Sequence, residues 1–249
     1  MKYFFLEFYK MKRRGIFFSI FALLLLEVLW CTFPMRKNLL SLAANPTEPM
    51  WEALLLVTTT LKGLFFPIII AIAVCRINDT EHRGNTWKLL ESSGETKEII
   101  WSSKFFSVFF LISVAQIIEF IYLILFGKTI KSGEVFPIIA YSVFLIGSLI
   151  INAVIILVQQ FISIMIENQL IAMAVGMLGG FLGLFSSFFP SAIRYWLIWG
   201  YYTNLSPATF SSGGHIVRIP ISIMAIIIPL IVTVFIYFVG RKYFAKKES

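Results

Sequence analysis

Six stretches of the chain decide most of what it can fold into, each near the ~20 apolar residues that a helix needs to cross ~30 Å of hydrocarbon. They run over residues 16–33, 53–74, 105–126, 135–166, 170–189 and 219–239. Of the 249 residues 59% are hydrophobic and 14% charged, mean hydropathy is +0.87, and 26 are phenylalanine. A soluble domain is nearer ~25% charged. A globule in water could not cover such a surplus, so the apolar excess faces lipid. This excludes a secreted disulfide domain, a disordered tail and a soluble enzyme, and it predicts an all-α membrane protein with six transmembrane helices. The fourth stretch is long enough for a tilted or projecting helix, with Gln159, Gln160 and Ser163 near its end.

The net charge of +8 is an orientation signal rather than a nucleic-acid footprint, because the cations sit mostly between the apolar runs. With the N-terminus inside, the cytosolic segments hold fourteen Lys and Arg and the outer segments six, while Lys62 lies within a span. This predicts a multi-pass membrane protein with both termini in the cytosol. Cys31 and Cys75 fall near opposite ends of neighbouring spans, which argues against a disulfide or a metal role.

Tyr3, Phe4, Phe5, Leu6, Phe8 and Tyr9 interleave with Lys2, Glu7 and Lys10. Residues 1–14 therefore read either as an interfacial amphipathic helix on the inner leaflet or as a basic anchor for the first span. No cleavable signal is expected, since Leu26-Glu27-Val28-Leu29-Trp30 offers no small-residue cleavage site. Residues 15–240 form the membrane domain, and residues 241–249 read as a basic cytosolic tail. Between spans five and six, residues 187–217 are too broken to cross and too aromatic to be a free loop. Tyr195, Trp196, Trp199, Tyr201 and Tyr202 suit the headgroup level, so this outer segment is expected to be re-entrant or interfacial.

The cytosolic segment 76–104 is long for a connector. It carries Asp79, Glu81, Arg83, Gly84, Thr86, Trp87, Lys88, Leu89 and Leu90, and an exposed Trp-Leu-Leu cluster implies a surface to dock against. Glu81, Gly84, Thr86, Leu89-Leu90, Ile99 and Lys104 resemble the signature of ABC-2-type transporter permeases. The resemblance spans most of the chain and implies a type V exporter-like architecture: an interfacial N-terminal helix, six spans, and a broken aromatic segment between the last two. It also implies that the segment after the second span is a coupling helix docked on a separate ATPase subunit, itself a dimer. Glu167, Asn168 and Gln169, between spans four and five, are either a second contact with that ATPase or a tight connector.

Within that family the small size and Phe/Ile-rich spans look most like the lantibiotic-immunity permeases, with the bacitracin-resistance permeases as the nearest alternative. In such systems one or two permeases and an ATPase clear a cationic peptide from the cell surface, so a second permease, identical or similar, is an expected partner. The same resemblance implies that the membrane is the bacterial cell membrane. The lack of an extended outer loop argues against polymer export. The chain itself supplies no ATPase. A phosphate-binding loop needs a Gly with four residues between it and Gly-Lys-Ser/Thr, and Tyr122 stands where Gly127-Lys128-Thr129 would require that Gly. No cofactor is therefore expected in this chain, and ATP and magnesium belong to the partner.

Glu27, Lys62, Glu119 and Asn152 lie within spans, the three charges roughly 10–14 Å below the outer surface. Lone charges in hydrocarbon cost several kcal/mol, so one reading is an ion pair that pins spans one and two together. Others are a cleft attractive to a cationic peptide and a proton-coupled role. Gly176, Gly179, Gly180 and Gly183 allow close helix approach, within the subunit or at a dimer interface, and Pro67 is expected to kink span two. An intramembrane enzyme is disfavoured because His82 and His215 fall on opposite sides of the membrane. A secondary transporter is disfavoured because no internal repeat is visible.

Overall fold

Each apolar run becomes a helix because no water is available to its backbone inside a bilayer, so every N–H must bond within its own segment. In the computed structural model, which describes residues 7–11, 15–33, 36–37, 49–84, 96–130, 135–211 and 215–246, the helices are α1 (Ile16–Thr32), α2 (Met50–Gly84), α3 (Lys97–Thr129), α4 (Ile138–Met165), α5 (Gln169–Phe185) and α6 (Met224–Lys246). Five are long and apolar enough to cross a membrane, and α1, with 17 residues, is shorter. Gly15 starts α1 at φ +64°, a left-handed conformation that favours glycine. Thr96 and Asn168 start α3 and α5 by accepting the backbone N–H of Ile99 and of Leu170.

Consecutive helices run antiparallel, so α2, α4 and α6 all begin at the same end. At one end Cys31 of α1 meets Thr58 of α2, and the Tyr141 hydroxyl of α4 donates to the Trp51 carbonyl of α2. A two-stranded antiparallel hairpin, β1 (Ala208–Phe210) and β2 (Ile216–Arg218), also lies at this end, with Ala208 opposite Arg218. At the far end Arg241 of α6 pairs with Glu98 of α3 at 2.5 Å. There Glu7, in the helical turn at residues 7–11, pairs with Lys10 at 2.8 Å and lies 3.8 Å from Lys104 of α3. Phe8 packs edge-on against Phe110, so this turn is docked on the bundle.

Helix α2 is central. Two-thirds (67%) of its apolar window is buried, against 17% for α6, and it packs on α1, α3, α4 and α5. Its approach to α5 is close because glycines meet there. A Cβ on Gly63 would lie 3.1 Å from the Gly183 carbonyl oxygen, and one on Gly180 would lie 2.6 Å from the Leu64 carbonyl oxygen. The glycine stripe of the fifth span therefore serves packing inside the subunit.

Four helix boundaries in particular differ from the sequence reading. The segment expected as a loop over 76–104 is helical at both ends: α2 continues through Gly84 and α3 begins at Lys97. The polar residues there keep i to i−4 hydrogen bonding once a helix is under way, and α2 also runs on through Pro67. The last span starts later than residue 219, because Ile219 still bonds back to Pro207 at the base of the hairpin. It then continues helically through Lys246, so most of the expected basic tail is helix. Between α5 and α6, a single turn (Ser191–Arg194) and a 3-10 helix (Ile198–Leu205) precede the hairpin. Tyr201, Tyr202 and Leu205 of that 3-10 helix are buried in the core, so it re-enters the bundle instead of resting at its surface.

Candidate functional site

The register of α1 against α2 builds the site. Cys31 Sγ and Thr58 Oγ1 stand 3.5 Å apart, and one turn farther from the hairpin end on each helix come Glu27 and Lys62. On α3 the Tyr122 hydroxyl donates to Thr32 Oγ1 of α1 at 3.2 Å, and Glu119, almost a turn away, falls at the same level. Glu27 and Glu119 are each 2% exposed and Lys62 0%.

The ion pair forms between Lys62 and Glu119, that is, between spans two and three. This corrects the expectation of a pair pinning spans one and two. Lys62 Nζ also donates to Gln116 Oε1 at 3.5 Å and lies 3.5 Å from the centroid of the Phe66 ring. Gln116 and Glu119, three residues apart on one face of α3, thus grip the ammonium together. Gln116 Oε1 accepts a second bond, 2.7 Å, from Asn152 Nδ2 of α4, and Asn152 Oδ1 accepts from the Tyr202 hydroxyl of the re-entrant 3-10 helix. All five residues are buried. A continuous polar chain therefore ties α3, α2, α4 and the re-entrant segment near the middle of the bundle.

Glu27 is outside that chain. Neither of its carboxylate oxygens has a hydrogen-bond partner among the described residues, although it lies within electrostatic reach of both Lys62 and Glu119. Two carboxylates thus face one ammonium, and the ammonium is committed to Glu119. Among buried groups this is a costly arrangement, because an uncompensated carboxylate in a dry interior has neither water nor a bonded cation.

The other sequence-selected residues lie elsewhere. Asn78 of α2 donates to Ser163 of α4 at 2.9 Å, and Ser163 donates to Gln169 Oε1 at 2.5 Å. Gln169 Nε2 returns bonds to the Ser163 and Ile166 carbonyls, both at 2.8 Å. Of the three connector residues, Glu167 and Asn168 are exposed, while Gln169 turns inward as an internal tie. Asp79 is half-buried next to Asn78. Glu81, Arg83 and Gly84 occupy the last turns of α2, and Thr86, Trp87, Lys88, Leu89 and Leu90 lie outside the described residues. The 17 residues of helix from Lys62 to Asp79 put the two polar regions about 25 Å apart along α2.

Gln116 and Phe66 are not singled out by the sequence, and Tyr202 reads there only as a headgroup-level aromatic. Gln116 is legible once Glu119 is chosen, because it is the polar residue one turn away on the same face. Tyr202 is not, since only the re-entry of its segment brings it to Asn152.

Comparison with known proteins bears on what such a bundle is for. The family model described as ABC-2 family transporter protein matches residues 4–183, well over half of the chain and all of α1 to α4. A search of curated proteins found no match. Proteins of this family are the membrane permeases of ABC transporters, which act with an ATPase. The chain therefore belongs to the ABC-2 family of transporter proteins, as a multi-pass membrane permease.

Proposed function

We propose that this permease, powered by a separate ATPase dimer, expels or clears a lantibiotic-like cationic peptide from the membrane as a self-immunity or resistance device. The observation that supports a cationic cargo is Glu27, a buried carboxylate with no hydrogen-bond partner among the described residues, beside an ammonium already held by Glu119 and Gln116. Ionisable residues at membrane depth are rare, and they are found along substrate and ion paths. A Lys or Arg side chain of a peptide that parted α1 from α2 would meet a carboxyl group already stripped of water, and its positive charge would favour the ionised form of that group. There a charge-assisted hydrogen bond is stronger than at a wet surface. Lys62 keeps Glu119 occupied, so the acceptor offered is Glu27.

The far end of the bundle faces the cytosol in this reading, in accord with fourteen cations against six. The last turns of α2 with Asp79, Glu81, Arg83 and Gly84, continued by Thr86, Trp87, Lys88, Leu89 and Leu90, meet the ATPase there. Exposed Glu167 and Asn168 add a second contact, whereas buried Gln169 holds the connector in shape. ATP and magnesium are bound by the ATPase, and a second permease, the same chain or a similar one, completes the path through the membrane.

The test is survival of a sensitive bacterium expressing this chain with its ATPase, challenged separately with a cationic lantibiotic and with bacitracin. Protection against the lantibiotic that needs both subunits is expected. Trp87→Ala and Glu81→Ala are expected to reduce ATPase co-purification and protection together. Protection against bacitracin alone would replace the cargo. Protection that persists without the ATPase, or in both coupling variants with association intact, would overturn the reading.

A further inference from the structure

At the hairpin end a cavity of about 760 Å³ lies between the first turns of α4 and α6 and the base of the hairpin. Its volume is within the ~300–1,000 Å³ of small-molecule sites, which are mostly apolar with a few placed polar groups. Ile138 and Ile139 of α4, with Ile223 and Ile226 at the start of α6, supply apolar wall, and Glu52 and Arg218 are the charged residues lining it. Ile138, Ile139 and Ile223 are exposed. All three sit where membrane-crossing helices begin, so the cavity opens at the level where acyl chains meet headgroups.

The ion pair in its wall is lopsided. Arg218 donates to Glu52 through Nε at 2.7 Å and through Nη2 at 3.4 Å. The Glu52 side chain is 8% exposed, whereas that of Arg218 is 62% exposed. The pair hides its anionic half and shows its cationic half. A guanidinium carries five donors in a planar fork that matches phosphate geometry.

We propose that this cavity binds a phospholipid with an anionic headgroup, drawn from the leaflet at the hairpin end. Its acyl chain packs on the isoleucines of α4 and α6, and its phosphate sits on Arg218. The amphiphile suits both halves of the site: among the described residues the wall offers no polar side chain to a soluble anion beyond the ion pair and Ser222, and the exposed guanidinium favours a negative headgroup over a neutral one. The proposal stands whether or not a cationic peptide is the cargo.

Native mass spectrometry of the delipidated full-length chain, titrated with phosphatidylglycerol or phosphatidylcholine, tests it. The wild type is expected to retain phosphatidylglycerol about tenfold more strongly, because its headgroup is net negative whereas the choline cation of phosphatidylcholine offsets the phosphate that both lipids carry. Arg218→Gln should abolish that preference, and Ile139→Trp, which fills the cavity, should remove retention of both lipids. Glu52→Gln removes the ion pair but keeps the guanidinium, so it should preserve the preference and guards against a purely structural reading of Arg218→Gln. Lys128→Gln, at the same end but away from the cavity, should change nothing. Equal retention of the two lipids by the wild type, a preference surviving Arg218→Gln, retention surviving Ile139→Trp, a preference lost in Glu52→Gln, or an equal loss in Lys128→Gln would each overturn the proposal.

Discussion

Two of the buried polar clusters in the bundle are built on opposite principles. At the far end Asn78, Gln159, Ser163 and Gln169 are neutral, and each side-chain donor reaches an acceptor: Gln159 Nε2 bonds the Ala172 carbonyl at 2.8 Å, and Gln169 closes the turn on itself. What remains over is one amide oxygen, Asn78 Oδ1. Near the middle of the bundle an ammonium, two carboxylates, two amides and a phenol share one region, and what remains over among the described residues is a whole carboxylate together with the Gln116 amide nitrogen. An unmet amide oxygen costs about 1–3 kcal/mol, and an unmet buried charge more. The first cluster has the composition of a structural tie. The second keeps an expensive group that packing alone does not require.

Lys62→Met should produce the largest effect, because it leaves Glu119 and Glu27 together with no cation. A loss of about 3–5 kcal/mol is expected, read as collapse of the folded yield in detergent, and Lys62→Met with Glu119→Leu should recover most of it. A folded single variant would show that the pair is not what holds α2 to α3. Gly183→Leu should follow. It drives a side chain into the Gly63 backbone, and overpacking of about 1–3 kcal/mol should lower the thermal midpoint. An unchanged midpoint would refute close packing of α2 on α5.

The far cluster gives smaller, separable effects. Gln169→Ala should cost about 1 kcal/mol in unfolding measurements while leaving ATPase co-purification unchanged, whereas Glu167→Ala should do the reverse. Reversed outcomes would exchange the roles of tie and contact. Tyr202→Phe should be the mildest, about 0.6 kcal/mol, typical of one hydrogen bond between membrane helices. A loss of several kcal/mol would mean that the re-entrant segment is held chiefly by that hydroxyl.

The spans were legible because lipid makes helix the only local solution, so apolar length translates directly into structure. The ends were less legible. Residues 76–84 look like loop by composition, yet α2 carries them in its last turns. Ile219 looks like span but belongs to the hairpin. Within the site the depth of Glu27, Lys62 and Glu119 followed from counting residues along helices. Which carboxylate takes the ammonium did not, since it depends on Gln116 adding a second acceptor from α3. The place of Tyr202 depends on a segment whose aromatic content pointed to the headgroup level while its packing surface lay inside the bundle.

Glu27→Gln separates the two principles most directly, measured in one preparation for thermal unfolding and in cells for protection against a cationic lantibiotic. It removes a carboxylate that nothing described hydrogen-bonds and leaves Lys62 on Glu119. The unfolding midpoint should therefore hold or rise, while protection falls about tenfold, the loss of one charge-assisted contact. Full protection with an intact fold, or a collapse like that of Lys62→Met, would contradict a cation-recognising role for Glu27.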